Sequence, residues 1–247
     1  MMPISLYIHI PFCLKKCLYC DFLSAPAEKD LQERYFHALL SEIVRTAEEY
    51  RDREVITVFI GGGTPSLPDA KWVMQVMDAL KDNFRFAEHP EISMEMNPGT
   101  ETLEKLTQYR KAGINRLSIG CQSLQDEELR ILGRIHNAAG FYRCYEDARQ
   151  AGFDNINIDL MSAIPDQTYE GWIHNLRTVP GLDPEHISAY SLIIEEGTPF
   201  ASRTLNLPDE DAEYNMYEAT AQILREDGFE QYEISNYAKK GRECRHN

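Results

Sequence analysis

The sequence lacks any apolar run long enough to cross a membrane. No stretch approaches the roughly 18 uninterrupted apolar residues that a spanning helix needs. It also lacks a basic surplus. Lysine and arginine number 25 against 40 aspartates and glutamates, a net charge of −15, and no basic run goes beyond Lys239-Lys240 followed by Arg242. Phosphate-backbone binding depends on clustered cations, so a nucleic-acid partner is not expected. Met1-Met2-Pro3-Ile4-Ser5-Leu6-Tyr7 has neither a positive start nor a long apolar run, which does not fit a secretory signal. A cytoplasmic location is the expectation. No internal repeat, low-complexity tract or linker is visible. At 247 residues and 43% hydrophobic content, the chain reads as one domain over residues 1–247.

Cysteine is scarce and unevenly placed. The six lie at positions 13, 17, 20, 121, 144 and 244. In a reducing compartment a tight cluster reads as a metal site, and scattered cysteines read as buried small apolar residues. Cys121, Cys144 and Cys244 are therefore expected to be structural, with a barrel-interior position left open for Cys121.

Short apolar runs alternate with helical patterns along the whole chain. Strands are expected at 5–10, 55–60, 91–96, 115–120, 155–160 and 186–192, with one more at 231–235. Helices are expected from about residue 31, and at 69–83, 102–111, 126–132, 138–151, 169–178 and 209–227. Such alternation implies right-handed βαβ units and a parallel sheet. Six units fit an α/β fold of the partly open (β/α)6 barrel type, because polar candidate residues sit at the C-terminal ends of several strands, where barrel enzymes keep their chemistry.

The three close cysteines lie in Cys13-Leu14-Lys15-Lys16-Cys17-Leu18-Tyr19-Cys20, a C-x3-C-x2-C spacing directly after the first strand. Three thiolates suffice for a four-iron cluster with one iron left open. A zinc site needs four ligands, often as two separated pairs; no second pair exists, and His9 or a distant residue would have to join. The spacing resembles that of the radical SAM family. There the open iron chelates S-adenosylmethionine, and one electron cleaves a carbon–sulfur bond to release a 5′-deoxyadenosyl radical. Phe12, Tyr19 and Phe22 are expected to surround the thiolates and limit water.

Gly61-Gly62-Gly63-Thr64-Pro65 ends the second strand. No G-K-[S/T] follows, which excludes a phosphate loop. A tight turn and a contact for the amino end of S-adenosylmethionine both fit. Glu95, Gln122, Arg134 and Asp159 are polar residues at or near strand ends, either loop caps or ligand contacts.

Tyr7-Ile8-His9-Ile10-Pro11-Phe12-Cys13, the cysteine spacing, Gly61 to Pro65, Arg116-Leu117-Ser118-Ile119-Gly120-Cys121-Gln122-Ser123 and Asn157-Ile158-Asp159-Leu160 together resemble the oxygen-independent coproporphyrinogen III oxidase family over essentially the whole chain. The resemblance implies a [4Fe-4S] cluster on Cys13, Cys17 and Cys20. It implies S-adenosylmethionine contacts from Tyr7, Tyr19, Gly62, Gly63, Thr64, Glu95, Gln122, Arg134 and Asp159, with a backbone contact near Ile193. An electron donor such as flavodoxin or ferredoxin is also implied.

The family has two branches: oxidases that convert propionates of coproporphyrinogen III to vinyl groups, and HemW-type heme chaperones that pass heme to an acceptor protein. Three features resemble the chaperone branch. Phe22 stands where the oxidase has a fourth cysteine, and only twelve residues precede Cys13. His246-Asn247 resembles the start of the chaperone's H-N-x-x-Y-W heme motif, making His246 a candidate heme ligand. The expectation is a heme chaperone with a radical SAM core, coproporphyrinogen dehydrogenation being the alternative. The family's C-terminal domain is expected to be absent, the chain being a fragment or a truncated product.

Overall fold

The computed structural model describes residues 2–247. Six strand–helix units run β1 (Pro3–Ile10), α1 (Lys29–Glu49), β2 (Glu54–Gly62), α2 (Ala70–Asn83), β3 (Phe86–Met96), α3 (Leu103–Ala112), β4 (Arg116–Gln122), α4 (Asp126–Leu132), α5 (Ala138–Gln150), β5 (Ile156–Ser162), α6 (Tyr169–Thr178) and β6 (His186–Ser191). Then come α7 (Glu210–Glu226), β7 (Glu230–Glu233) and β8 (Asn236–Ala238). Strands β1 to β6 pair in sequence order, all parallel. The outer strands of the sheet, β1 and β7, do not pair with each other, so the curved sheet is the expected partly open barrel. No described helix is long and apolar enough to cross a membrane.

The helices begin where short polar side chains accept an otherwise unused backbone N–H. Asp69, Thr102, Asn137, Thr168 and Asp209 each do so. Gly113 and Gly133, in left-handed conformation, stop α3 and α4. The helices cover the outer face of the sheet. Phe36 of α1 stacks on Trp72 of α2 at 5.1 Å, a pairing that adds about 1 kcal/mol beyond burial. Trp172 of α6 donates to Thr220 of α7 at 3.0 Å.

A strand covered on both faces reads as a continuous buried run. All seven residues of β4 are buried. Ser118, Gly120 and Gln122 face the barrel interior, while Leu117, Ile119 and Cys121 join the core under the helices. Cys121 is thus turned away from the interior, its Sγ bonding Ser123 O at 3.4 Å.

Four expectations need correction. Residues 231–235 are not one strand: β7 and β8 form a hairpin, and β8 adds antiparallel to β6. Gly61 and Gly62 belong to β2 rather than to a turn after it. Gln122 is the last residue of β4 rather than beyond it, and Asp159 is the middle residue of β5 rather than near its end. Period-2 alternation carries Asp159 into the barrel all the same.

The segment after β8 folds under the barrel. Glu91 accepts Arg245 N at 3.0 and 3.2 Å and Cys244 Sγ at 3.6 Å. Tyr232 OH accepts Cys244 N at 3.1 Å. His246 Nδ1 meets Thr57 Oγ1 at 2.8 Å, and its ring lies 5.3 Å from that of Phe59. These contacts close the N-terminal end of the strands and leave the C-terminal end as the mouth.

Candidate functional site

The cysteine loop lies across the mouth, tied down by backbone hydrogen bonds. Cys13 N donates to Ala25 O, Leu18 N to Leu132 O, and Phe200 N to Leu18 O. Gly63 N and Thr64 N, just past β2, donate to Ile10 O and Phe12 O at 2.8 Å each. The glycine run has a packing cause. Gly62 has φ +114, and a Cβ there would stand 2.6 Å from the His9 ring. Phe12 corrects an expectation: its ring is buried against Tyr35 and Phe36 of α1, away from the thiols. Tyr19 and Phe22 do line the site, Phe22 being 67% exposed.

All three thiols line one cavity of about 570 Å³, within the usual range of small-molecule sites. Gly62, Gly63, Thr64, Glu95, Gln122, Arg134, Asp159, Tyr19 and Ile193 line the same cavity. Tyr7 stands apart, stacked on Phe59 at 6.1 Å with its hydroxyl 3.3 Å from His9 Nδ1. His246 lies below the floor, half-buried.

Two of the thiols are joined by a hydrogen-bond chain. Thr64 Oγ1 donates to Cys13 Sγ at 3.5 Å and accepts from Asn97 Nδ2 at 2.9 Å. Asn97 Oδ1 accepts from Arg134 Nη2, and Arg134 Nη1 donates to Cys17 Sγ at 3.7 Å. Arg134 also donates to Gly120 O at 2.8 Å. A Cβ on Gly120 would stand 2.6 Å from Asn97 Oδ1, so the chain passes only over a glycine. Asn97 was not singled out in the sequence, although it lies two residues past Glu95.

The donor set fits an anionic iron–sulfur cluster, since hydrogen bonds to the sulfurs and burial tune such clusters. Among the described residues, no three His, Cys, Asp or Glu side chains gather tightly enough to share one metal ion. Burial also raises the Cys20 thiol above its ordinary value, with the Cys17 and Cys13 thiols adding to the effect.

Two carboxylates line the same cavity. Burial, then the charge of Asp159, pushes Glu95 up to about 7, against the pull of the Gly62 N–H at 3.0 Å. Burial pushes Asp159 up to about 6 despite hydrogen bonds from Asn157 and Ser118. Two carboxylates held this way attract a cation. Gln122 has φ +68 and accepts from Tyr190 OH at 2.9 Å.

Deeper in the barrel lies a polar layer that single-sequence reasoning missed. His186, the first residue of β6, is buried and bonded to Asn157 Oδ1 at 2.6 Å and Tyr232 OH at 2.8 Å. Burial, then Arg116, lowers it to about 3, so it is neutral at pH 7. The signal was present as polar residues at alternate positions in β4, β5 and β6, but it points inward only once the strands are known to close on themselves.

The comparisons with known proteins agree with this geometry. The chain is 43% identical to the heme chaperone HemW of Haemophilus influenzae, 42% to that of Escherichia coli and 38% to that of Bacillus subtilis, over 98–99% of its own length. It spans 65% of the length of each. Among solved structures it resembles the coproporphyrinogen III oxidase HemN of Escherichia coli, a radical SAM enzyme, with a TM-score of 0.89 and 30% identity over 97% of this chain and 56% of that one. Methylornithine synthase shares the fold at a TM-score of 0.58 and 15% identity, over 89% of this chain and 63% of that one. The sequence profile of the Radical SAM superfamily matches residues 7–179, a span holding all three clustered cysteines, the glycine run and both carboxylates. With thiols and carboxylates lining a single cavity and the family match spanning them both, this chain belongs to the radical SAM superfamily.

Proposed function

We propose that this chain is the core of a heme chaperone. In this reading Cys13, Cys17 and Cys20 hold a [4Fe-4S] cluster, and S-adenosylmethionine lies beside it. Electrons come from a small donor such as flavodoxin or ferredoxin, and heme passes to an acceptor protein. The cluster and S-adenosylmethionine supply one-electron cleavage of a carbon–sulfur bond when bound. The chain's own residues position and shield. Gly62, Gly63 and Thr64 present backbone and hydroxyl groups to the amino acid end. Arg134 and Gln122 supply side-chain hydrogen bonds, while Glu95 and Asp159 attract the positive charge. Tyr19 and Ile193 limit water, and Tyr7 braces the floor through Phe59.

The observation that carries the chaperone reading is Phe22, an exposed apolar side chain at the cavity wall, where the oxidase branch has a further cysteine. The names of the relatives agree. His246 adds a candidate ligand, since histidine commonly binds heme iron. A proton on Nδ1 shared with Thr57 leaves Nε2 free for a metal. Heme titration of the purified protein tests this reading: a Soret shift that weakens in His246→Ala is expected, and no shift in the wild type overturns it. The likeness to the Escherichia coli oxidase favours a second reading, dehydrogenation of coproporphyrinogen III. Anaerobic incubation with reductant, S-adenosylmethionine and coproporphyrinogen III decides between them, protoporphyrinogen supporting the second.

A further inference from the structure

We infer that Arg116, with Ser93 beside it, forms a carboxylate-binding subsite on the barrel floor, built to hold a propionate arm of the tetrapyrrole. The carboxylate chemistry stands alone; the tetrapyrrole rests on the function proposed above.

Arg116 is the first residue of β4. Across the sheet Phe59 pairs with Ser93, and Ser93 with Arg116, so the three stand side by side on the inner face. Arg116 is 2% exposed and lines the cavity, as does Phe59. Its Nε is buried without a hydrogen-bond partner, and so is Ser93 Oγ. Buried polar groups in native proteins are nearly always paired, because an unpaired donor loses its hydration without compensation, the more so when charged. Two neighbouring unused donors, one cationic, point to a ligand.

The neighbouring groups do not serve. Glu91 accepts from Arg245 and Cys244, and Asp159 from Ser118 and Asn157. His186 is bonded to Asn157 and Tyr232. Arg116 acts on Asp159 and His186 through space, but among the described residues none of these groups takes a hydrogen bond from its Nε.

The chemistry selects the ligand. A guanidinium fork matches the two oxygens of a planar carboxylate, and the fully buried Ser93 hydroxyl stands beside it as a second unpaired donor. With Glu91, Glu95 and Asp159 nearby, one cation suits a monoanion and not a phosphate dianion. The cavity runs from the cysteine loop to Cys244 on the floor. At about 570 Å³ the cavity admits a carboxylate arm rather than a whole macrocycle.

The test uses the 247-residue chain with sodium propionate against sodium chloride at equal ionic strength, followed by thermal unfolding. At propionate ten times its dissociation constant, the midpoint is expected to rise by about 3 °C. The rise should be absent in Arg116→Gln and reduced in Ser93→Ala and Arg116→Lys, either of which carries the test if Arg116→Gln does not fold. A wild type indifferent to propionate, or a variant that keeps the full response, overturns the subsite. A second arm compares heme with heme dimethyl ester by Soret titration. The ester should bind about tenfold more weakly to wild type and no differently from heme to Arg116→Gln. Equal binding of both by the wild type overturns the tetrapyrrole assignment. A propionate response in a protein that binds no heme retains the subsite and removes the chaperone reading instead.

Discussion

Replacing Glu95 by glutamine should stabilise the cluster-free protein while weakening its affinity for S-adenosylmethionine. Burial and Asp159 raise the Glu95 carboxyl from 4.5 to about 7. At about 1.36 kcal/mol per pH unit this corresponds to about 3 kcal/mol. The side chain faces an open cavity, so water screens part of it, and about 1–3 kcal/mol is the working range. Between pH 4.5 and 7 the folded chain keeps a proton that the unfolded chain has released, so this group makes stability fall as pH rises through that window. Glutamine cannot ionise, yet its carbonyl still accepts the Gly62 N–H. The expected result is a variant equal to wild type near pH 4.5 and more stable at pH 8, by about 3–8 °C in midpoint. The assay is calorimetric unfolding of the cluster-free chain from pH 4.5 to 8, read as variant minus wild type. A difference that does not change with pH, or a variant less stable at pH 8, refutes the reasoning. With the cluster reconstituted, the variant should bind S-adenosylmethionine at least tenfold more weakly, having lost an anionic acceptor for the ammonium group.

Other variants probe other parts of the same wall. Arg134→Lys strips donors from Asn97 Oδ1, Gly120 O and Cys17 Sγ, and should cost about 2 kcal/mol by urea unfolding and lower the iron bound per chain after anaerobic reconstitution; unchanged iron and midpoint contradict the role. Cys17→Ala should abolish the cluster's visible absorbance yet leave the circular dichroism of the cluster-free chain unchanged, because the thiol is only half-buried and contributes little packing. Glu91→Ala should raise hydrogen exchange at the Cys244 and Arg245 amides by at least tenfold, by freeing the segment under the floor; unaltered exchange there removes Glu91 as its clamp.

The sequence made the barrel legible because its strands are short apolar runs separated by helices with recognisable caps, such as Asp69 and Thr102. The thiols and the Glu95 and Asp159 carboxylates were legible because each belongs to a motif or stands as a charge in an apolar strand. Asn97 was not, since an asparagine before a proline reads as an ordinary turn residue and only the fold brings it beneath Arg134. His186 and Arg116 were hidden for a related reason. Each is the first residue of its strand, and a polar residue at a strand start reads as a solvent-facing boundary. It becomes a buried floor residue only after the segment 239–247 closes that end, a contact 154 residues apart in sequence between Arg245 and Glu91. The hairpin of β7 and β8 was missed because its strands have four and three residues, too short for alternation to register.

The cavity is electrically graded along its length, and the grading couples its two ends. Burial raises the proton affinity of both Glu95 and Asp159, and the charge of Asp159 raises that of Glu95 further, so a positive ligand relieves them. At the floor Arg116 waits among acids that contact other partners. A net positive molecule at the mouth therefore favours an anion at the floor. Two unit charges on the order of 10 Å apart, at an effective dielectric of about 20, interact by about 1.7 kcal/mol, roughly a tenfold change in affinity after screening. Linkage makes this reciprocal: S-adenosylmethionine should tighten propionate binding by the same factor as propionate tightens S-adenosylmethionine. Calorimetric titration of each in the presence and absence of the other measures both factors. Equal factors that fall to one in Arg116→Gln are expected, whereas independent binding in the wild type breaks the electrostatic link between cluster end and floor.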